Sequence, residues 1–242
     1  MNFFSKTGNS ISKRLFWRAH LDEAITQITR VRPHLVTTDM VVTAPLLFQG
    51  KGYFSSMEAK QNMRELLALA KLIDGLHPER VCEIGTHKGG TLFVWCQLAA
   101  PEAVIVSIDL PGGDFGGGFG ERSIPFFNSF AKPMQALHFI RGDSHAAPTK
   151  ARLEGVLSEG KLDFLLIDGD HSYDGVKRDF EDYAPLVRSG GLVAFHDIVK
   201  RDEYPSIEVW RFWAELKKEF RCEEFIDADP AARSIGIGVV HL

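Results

Sequence analysis

Acidic and imidazole side chains are concentrated at points where short apolar segments of this sequence end. FLLIDGDH (164–171) runs from four apolar residues directly into Asp168, Asp170 and His171. A second apolar segment, GLVAFHD (191–197), ends in His196 and Asp197. Carboxylates and imidazoles are the groups that bind divalent metals and transfer protons near neutral pH. The sequence therefore predicts a reactive cluster at the ends of two buried strands.

Three further apolar segments also end in an acid. RVCEIG (80–85), AVIVSID (103–109) and LHFIRGD (137–143) place Glu83, Asp109 and Asp143 at or near their ends. A single Asp or Ser at such a turn is more often a helix cap, and single glycines there can simply allow a tight turn. Five acid-bearing strand ends are harder to ascribe to capping alone.

The elements that must position these residues alternate between strands and helices. Helix-like segments such as MEAKQNMRELLALAKLIDGL (57–76) and GTLFVWCQLAA (90–100) separate the apolar strands. This alternation predicts a mainly parallel sheet with helices on both faces, whose ligands bind at the carboxyl ends of the strands. The last two strand-like segments, 221–228 and 234–242, are close enough to pair antiparallel at the sheet edge. We therefore expect a doubly wound α/β fold with seven strands, the last of them antiparallel.

Composition limits the protein class and the domain count. The chain has 242 residues, 45% of them hydrophobic and 25% charged, as in an ordinary globular protein. We expect one domain over 56–242, preceded by an extension over 1–55 that acts as a lid or joins chains into a homo-oligomer. Leu15, Phe16, Trp17 and Ile25 give this extension apolar surface. The glycine-rich segment 109–123, which contains Phe115 and Phe119, is a second candidate lid.

Charge and cysteine content bound the partners and the location. A formal net charge of -4 argues against nucleic acid or an anionic membrane as the main partner. No signal segment and no apolar run of about 18 residues is apparent. Three cysteines, an odd and widely spaced set, are typical of reduced core residues rather than a disulfide framework. We expect a cytoplasmic protein that acts on a small molecule.

The first two strand ends suggest a nucleoside site. Glycines in EIGTHKGGT (83–91) let the backbone approach a ligand, and Asp109 can accept hydrogen bonds from two ribose hydroxyls. The spacing from Gly85 to Gly89 is not the G-x-G-x-x-G of a dinucleotide site, and no P-loop Lys-Ser/Thr pair is present.

Over residues 56–242 the chain resembles class I S-adenosylmethionine-dependent methyltransferases. The stretch FLLIDGDHSYDGVKRDFEDYAPLVRSGGLVAFHDI (164–198) is similar to the macrocin O-methyltransferase and cephalosporin hydroxylase-like group. The resemblance implies a Rossmann-like methyltransferase fold and an S-adenosylmethionine site. The cofactor residues that it implies are Glu83, Gly85, Thr86, Gly89, Asp109 for the ribose, Leu110, Gly142, Asp143 and Ser144 for the adenine, Asp168 and Gly169.

In metal-dependent members of this group, the acid that ends the fourth strand and an acidic pair that ends the fifth hold magnesium. The resemblance maps these positions onto Asp168, His196 and Asp197, and it makes His171 the catalytic base. His196 departs from the pattern, which weakens the case for magnesium and leaves manganese, iron or no metal open. We expect an O-methyltransferase that acts on a hydroxyl of a sugar or natural product, assisted by magnesium or manganese. The alternatives are a non-haem iron oxygenase with two histidines and one carboxylate, or a protein that binds the cofactor without catalysis.

Overall fold

A seven-stranded mixed sheet forms the centre of the described structure. The structure is a computed structural model that describes residues 16–112, 118–232 and 234–242. The strands are β1 (Arg80–Ile84), β2 (Val104–Asp109), β3 (Ala136–Arg141), β4 (Leu162–Ile167), β5 (Val187–His196), β6 (Arg221–Phe225) and β7 (Ile237–His241). Their order is β3-β2-β1-β4-β5-β7-β6. Strands β1 to β5 are parallel, whereas β7 pairs antiparallel with both β5 and β6, which confirms the predicted fold class.

Helices cover both faces of the sheet. They are α1 (Trp17–Val31), α2 (Thr38–Leu47), α3 (Met63–Leu76), α4 (Gly90–Leu98), α5 (Ile124–Asn128), α6 (Ala147–Leu157), α7 (Tyr173–Tyr183) and α8 (Val209–Glu219). Short 3₁₀ turns lie at 32–34, 52–54, 121–123, 184–186 and 230–232. Helices α1 to α5 contribute to one hydrophobic core, and α6 to α8 contribute to a second one on the opposite face.

Alternation along each strand explains why the strands read as continuous apolar runs. In β1, Val81 belongs to one core and Cys82 to the other, although both are fully buried. In β4, Phe164 and Leu165 are divided between the cores in the same way. Because both faces are covered, every position of these central strands favours an apolar residue.

The sheet order creates a crevice at its centre. The chain proceeds from β1 outward through β2 to β3, and then returns to the other side of β1 as β4. At such a reversal the connections after β1 and β4 lead away in opposite directions, which opens a crevice at the carboxyl ends of these strands. The acids predicted at these strand ends therefore share one edge of the sheet.

The helix predicted for residues 57–76 begins later than expected. The side chain of Asn62 accepts hydrogen bonds from the backbone amides of Arg64 (2.9 Å) and Glu65 (3.4 Å), so α3 starts at Met63. The prediction is therefore wrong for residues 57–62, which lie outside any helix. An N-cap of this kind fixes where the helix begins, because its side chain accepts hydrogen bonds from the first backbone amides, which have no partner within the helix.

The described part of the N-terminal segment packs on the same core as α3 and α4. Leu21, Ala24 and Ile28 of α1 and Val41 and Val42 of α2 are buried in that core. Trp17 and Ile25 are partly buried against it, Phe16 is exposed, and Leu15 lies outside the described residues. The role of residues 1–55 as a lid or an oligomer-forming segment stays a prediction.

Within the described residues, no helix combines the length and the apolar character needed to cross a membrane. Cys82, Cys96 and Cys222 are free thiols, and the first two are fully buried. This agrees with their predicted role as reduced packing residues. The cytoplasmic location stays a prediction.

The packing of α1 predicts how its substitution affects stability. Ile28→Ala should lower the free energy of unfolding by about 2–5 kcal/mol, because it removes buried methyl groups and leaves a cavity. Val31→Ala on the same helix, where Val31 is 39% exposed, should change it by less than about 0.5 kcal/mol. Urea titration followed by circular dichroism measures both values. Equal values for the two variants would show that α1 is not an integral part of the fold.

Candidate active site

A cavity of about 760 Å³ opens at the carboxyl ends of the parallel strands. Most of the predicted site residues line it: Gly85, Thr86, Asp109, Leu110, Gly142, Asp143, Ser144, Asp168, Gly169, His171, His196 and Asp197. Glu83 and Gly89 do not line it. The parallel strand order thus brings together residues that are more than 100 positions apart in the sequence.

Glu83 lies beneath the cavity rather than on its wall. Its side chain is fully buried and accepts a hydrogen bond from the indole Nε1 of Trp95 on α4 at 3.1 Å. Burial raises the pKa of Glu83 to about 8, against the opposing effect of hydrogen bonds from Thr91, Thr86 and Trp95. Glu83 is therefore largely uncharged at neutral pH. It supports the two threonines, which do line the cavity, from below.

Two glycines serve the backbone in different ways. Gly89 begins α4 with φ +78°, and a Cβ there would lie 2.7 Å from the ring of Phe127, so Gly89 is a packing glycine. Gly85 has φ +93°, and a Cβ there would lie 1.9 Å from the carbonyl oxygen of Asp168. Gly85 therefore allows the ends of β1 and β4 to approach each other.

Asp109 fixes the turn after β1 to the end of β2. Its Oδ2 accepts hydrogen bonds from the backbone amides of Thr86 (3.1 Å) and His87 (2.8 Å). Burial raises the pKa of Asp109, whereas these amide bonds oppose the shift. One carboxylate oxygen is thus committed to the turn, and Oδ1 is the atom with which Asp109 can bind a ligand.

The glycine-rich segment 109–123 is described only in part. Phe119 is buried and packs edge-on against Phe127, with ring centroids 5.1 Å apart. Phe115 lies outside the described residues. The lid role of this segment stays a prediction, with Phe119 as an anchor on its C-terminal side.

Four side chains from β4, β5 and the turns after them form one cluster. Nδ1 of His196 lies 3.1 Å from Oδ1 of Asp168 and 3.3 Å from Oδ2 of Asp197. Nε2 of His171 lies 3.4 Å from Oδ1 of Asp168, and its Nδ1 lies 3.3 Å from Oδ2 of Asp197. Asp168, His171 and Asp197 each offer one potential metal-ligand atom, and these atoms lie within 4.8 Å of one another. The predicted reactive cluster is therefore present as one group of side chains.

The remaining carboxylate oxygens of this cluster are held by two residues that the sequence did not indicate. Nε2 of Gln61 donates to Oδ2 of Asp168 at 2.8 Å, and the guanidinium of Arg201 pairs with Oδ1 of Asp197. Gln61 lies in the segment that was expected to be helical, so its sequence position gave no indication of this contact. Arg201 follows β5 closely, and a basic residue four positions after Asp197 is the one feature that could have suggested the pair.

Charge coupling sets the protonation of the cluster. Burial alone would raise the pKa of Asp168, but the charges and hydrogen bonds of His196 and His171 outweigh it and hold that pKa below its ordinary value. Burial would lower the pKa of His196, but Asp168 and Asp197 raise it to about 10. The pKa of His171 is raised as well, chiefly by Asp168 against the effect of burial. Asp168 is thus ionised, and the two histidines beside it balance its charge.

Comparison with known sequences places a family domain on this site. Residues 82–198 match the profile of a family described as a methyltransferase domain. An uncharacterized protein of Sinorhizobium fredii (strain NBRC 101917 / NGR234), y4gI, is 32% identical over 148 residues, which make up 60% of this chain. The match spans only 16% of the length of that relative.

Solved structures share the fold at low sequence identity. An O-methyltransferase from Bacillus cereus in complex with S-adenosylhomocysteine (SAH) is 13% identical, with a TM-score of 0.55 over 92% of this chain and 100% of that one. MycE methyltransferase from the mycinamycin biosynthetic pathway, solved with magnesium and SAH, is 18% identical, with a TM-score of 0.50 over 78% of this chain and 52% of that one. These likenesses show a common seven-stranded Rossmann-like fold.

The close approach at Gly85 yields a stability prediction for the site. Gly85→Ala should lower the free energy of unfolding by more than about 2 kcal/mol, because its Cβ would meet the backbone of Asp168 and its φ would be strained. Gly75→Ala on α3 is the matched control, since a Cβ there meets nothing within 4 Å. The control should leave stability unchanged or raise it slightly. Thermal unfolding of both variants decides the point, and an undisturbed Gly85→Ala protein would contradict the geometry.

Proposed function

We propose that the chain is a class I S-adenosylmethionine-dependent methyltransferase that methylates a hydroxyl group of a small molecule. The match of residues 82–198 to a methyltransferase domain supports this proposal. The observation that carries the proposal is the position of His171 between Asp168 and Asp197, on the wall of the cavity that Gly85 and Asp109 also line. This arrangement supports a role for His171 as the proton acceptor beside the proposed cofactor site.

The proposed cofactor site follows the ends of β1, β2 and β3. Oδ1 of Asp109 can accept hydrogen bonds from the ribose hydroxyls, because Oδ2 is held by the backbone. Gly85 and Thr86 let the backbone approach the methionine part, and Asp143 and Ser144 offer polar groups to the adenine. A cofactor held by these residues would supply an activated methyl group in the cavity that the cluster at the ends of β4 and β5 also lines.

The chemistry required is a direct displacement. The acceptor oxygen forms a bond to the methyl carbon as the bond from carbon to sulfur breaks, and the products are a methyl ether and SAH. The hydroxyl proton passes to a ring nitrogen of His171. Asp168 and Asp197, near the two ring nitrogens, stabilise the resulting imidazolium. Proton removal by such a base contributes about 10²–10⁴-fold, and alignment of oxygen, carbon and sulfur contributes much of the rest.

The donor set of the cluster fits a divalent metal ion. Asp168 Oδ1, Asp197 Oδ2 and His196 Nδ1 converge, with the nitrogen 3.1 and 3.3 Å from the two oxygens. Gln61 and Arg201 hold the outward oxygens of the same acids, as hydrogen-bonding partners of metal ligands usually do. We propose that Asp168, Asp197 and the deprotonated form of His196 would hold magnesium or manganese, with the metal displacing the proton of His196 Nδ1. The nitrogen donor makes manganese well suited. A metal bound there would lower the pKa of an acceptor hydroxyl.

The acceptor class is a hydroxylated small molecule, such as a sugar or another natural product. Beyond the cofactor residues, the cavity is lined by Arg201, Tyr204, Ser206 and Ile207 from the connection between β5 and α8. The guanidinium of Arg201 lies 4.9 Å from the centroid of the Tyr204 ring, which is half exposed. A wall with both hydrogen-bonding and apolar groups suits a ring compound that carries hydroxyls.

Cofactor binding tests the first part of the proposal. The wild-type protein should bind SAH in isothermal titration calorimetry, and Asp109→Ala should weaken binding by about 1–3 kcal/mol because the ribose hydroxyls lose their acceptor. Asp22→Ala, at an exposed position of α1, is the matched control and should bind as the wild type does. Failure of the folded wild-type protein to bind SAH would reject the proposed function.

Two substitutions separate the base from the metal. His171→Ala should keep SAH and metal binding but lose methyl transfer by about 10²–10⁴-fold, most severely at neutral pH, where a hydroxyl ionises poorly. Asp168→Asn should lose both Mn²⁺ binding and turnover. Electron paramagnetic resonance with Mn²⁺ alone measures the metal binding. Chelator should abolish transfer, and added magnesium or manganese should restore it. Full activity in excess chelator would remove the metal from the mechanism, and full activity of His171→Ala would remove the base.

We also propose a homo-oligomer that forms through the N-terminal segment. Val36, Leu46 and Leu47, in and next to α2, are exposed by 79%, 54% and 72%, and Phe16 by 56%. Exposed apolar side chains concentrated in one segment are typical of association surfaces. Light scattering at micromolar concentration should give at least twice the chain mass, and Leu47→Asp should reduce it. A monomeric mass for the wild type would contradict this proposal.

A further inference from the structure

A second pair of histidine and carboxylate lies at the turn after β3. His145 follows the proposed adenine residues Asp143 and Ser144 and lines the same cavity. Its Nε2 lies 3.3 Å from Oδ1 of Asp179 on α7, a carboxylate that is fully buried. Neither His145 nor Asp179 has a role in the mechanism described above.

The surroundings of Nε2 determine which ring nitrogen of His145 carries a proton. Nε2 faces two acceptors, the carboxylate of Asp179 and the carbonyl oxygen of Gly175 at 3.1 Å, so it must be a donor. A fully buried carboxylate needs a charge partner, and His145 supplies one at ion-pair distance. The other nitrogen, Nδ1, lies 3.8 Å from Oδ1 of Asp143. Nδ1 is therefore the polar atom that His145 holds next to the proposed adenine residue.

The turn that carries these groups is held in a fixed position. Oδ1 of Asp143 accepts a hydrogen bond from the backbone amide of His145 at 2.9 Å. Two residues of α7 donate to backbone carbonyl oxygens of this turn. Arg178 donates to the carbonyl oxygen of His145 at 2.6 Å, and the hydroxyl of Tyr183 donates to the carbonyl oxygen of Ser144 at 2.7 Å. These bonds fix the carboxylate of Asp143 and the imidazole of His145 relative to each other. Such fixed polar groups can discriminate between ligands that differ in their donors and acceptors.

We propose that Asp143 and His145 together recognise the purine edge of the cofactor, with Asp143 as the acceptor and Nδ1–H of His145 as the donor. This deepens the proposed function and rests on it. Adenine presents an amino donor next to a ring nitrogen that accepts, which complements this pair. Hypoxanthine presents a carbonyl oxygen and an N–H at the corresponding positions. Its oxygen would face the acceptor Asp143, and its N–H would face the N–H of His145. His145 is thus a specificity-determining residue, and Asp179 is the positioning residue that orients it.

The charges around His145 favour the protonated ring that this pairing needs. The ionisable groups near it are Asp143 in its own turn, Arg178, Asp179 and Tyr183 on α7, and Asp170, which is close enough to affect Asp179. The hydrogen bond to Asp179 raises the pKa of His145, whereas burial opposes the shift. The donor form therefore predominates below this raised pKa and is lost as pH rises through it. Affinity for the cofactor product should follow the same direction.

Calorimetric titration with SAH across about pH 6 to pH 9 tests the assignment, since this range spans histidine ionisation. Wild-type affinity should fall as pH rises. His145→Ala should bind about tenfold more weakly at the low end, a factor equal to about 1.4 kcal/mol, and should lose the pH dependence. Asp179→Asn should move the fall in affinity to lower pH, because the group that raises the pKa of His145 is gone. His138→Ala, which replaces an exposed histidine of β3, should behave as the wild type does.

A second titration uses S-inosylhomocysteine, in which hypoxanthine replaces adenine. The wild type should prefer SAH, and His145→Ala should reduce that preference by about tenfold. If Asp179→Asn does not fold, the wild-type pH profile and the His145→Ala comparison still decide. SAH affinity that is independent of pH in the wild type and unchanged in His145→Ala would overturn the inference and leave the proposed function intact. Absence of SAH binding by the wild type would overturn both.

Discussion

The site depends on keeping two carboxylates close together without their mutual repulsion. Asp168 and Asp197 both lie within 3.3 Å of the same nitrogen of His196. Two unit charges about 4 Å apart repel by about 4 kcal/mol at the effective dielectric constant of a protein surface, and by more when buried. His196 and His171 lie between the acids, and Arg201 and Gln61 hold their outer oxygens. Donors on both sides offset this repulsion and allow the two acids to face one ligand.

Backbone hydrogen bonds at the strand ends fix the positions of the acids in this cluster. Beyond the last paired residues, three more hydrogen bonds continue across the sheet edge. Gly142 donates to Asp109 at 2.9 Å, Gly85 to Ile108 at 2.9 Å, and Asp168 to Ile84 at 2.8 Å. The acids that follow the strands are thus carried on ordered backbone rather than on free loops. Groups held on rigid elements retain their geometry when a ligand binds.

The sequence predicted the fold, and most of the candidate site residues line one cavity, because strand ends are recognisable from local patterns. The roles of these residues stay predictions. Continuous apolar strands that end in an acid indicate position in a parallel sheet without knowledge of any distant contact. Gln61 and Asp179 could not be predicted in this way, since each meets its partner only after the chain has folded. Glu83 was expected beside the cofactor, but its side chain lies on the face that α4 covers, where Trp95 binds it. Strand position alone does not separate a residue at the cavity from one beneath it.

The strand order divides the work of the site between two halves of the sheet. The proposed cofactor residues follow β1, β2 and β3 on one side of the reversal, whereas the base and the proposed metal ligands follow β4 and β5 on the other. The proposed acceptor wall includes residues of the connection after β5. This connection and the cofactor half share no strand. If the proposed acceptor site lies there, substitutions in that connection can alter the acceptor without changing the proposed cofactor half.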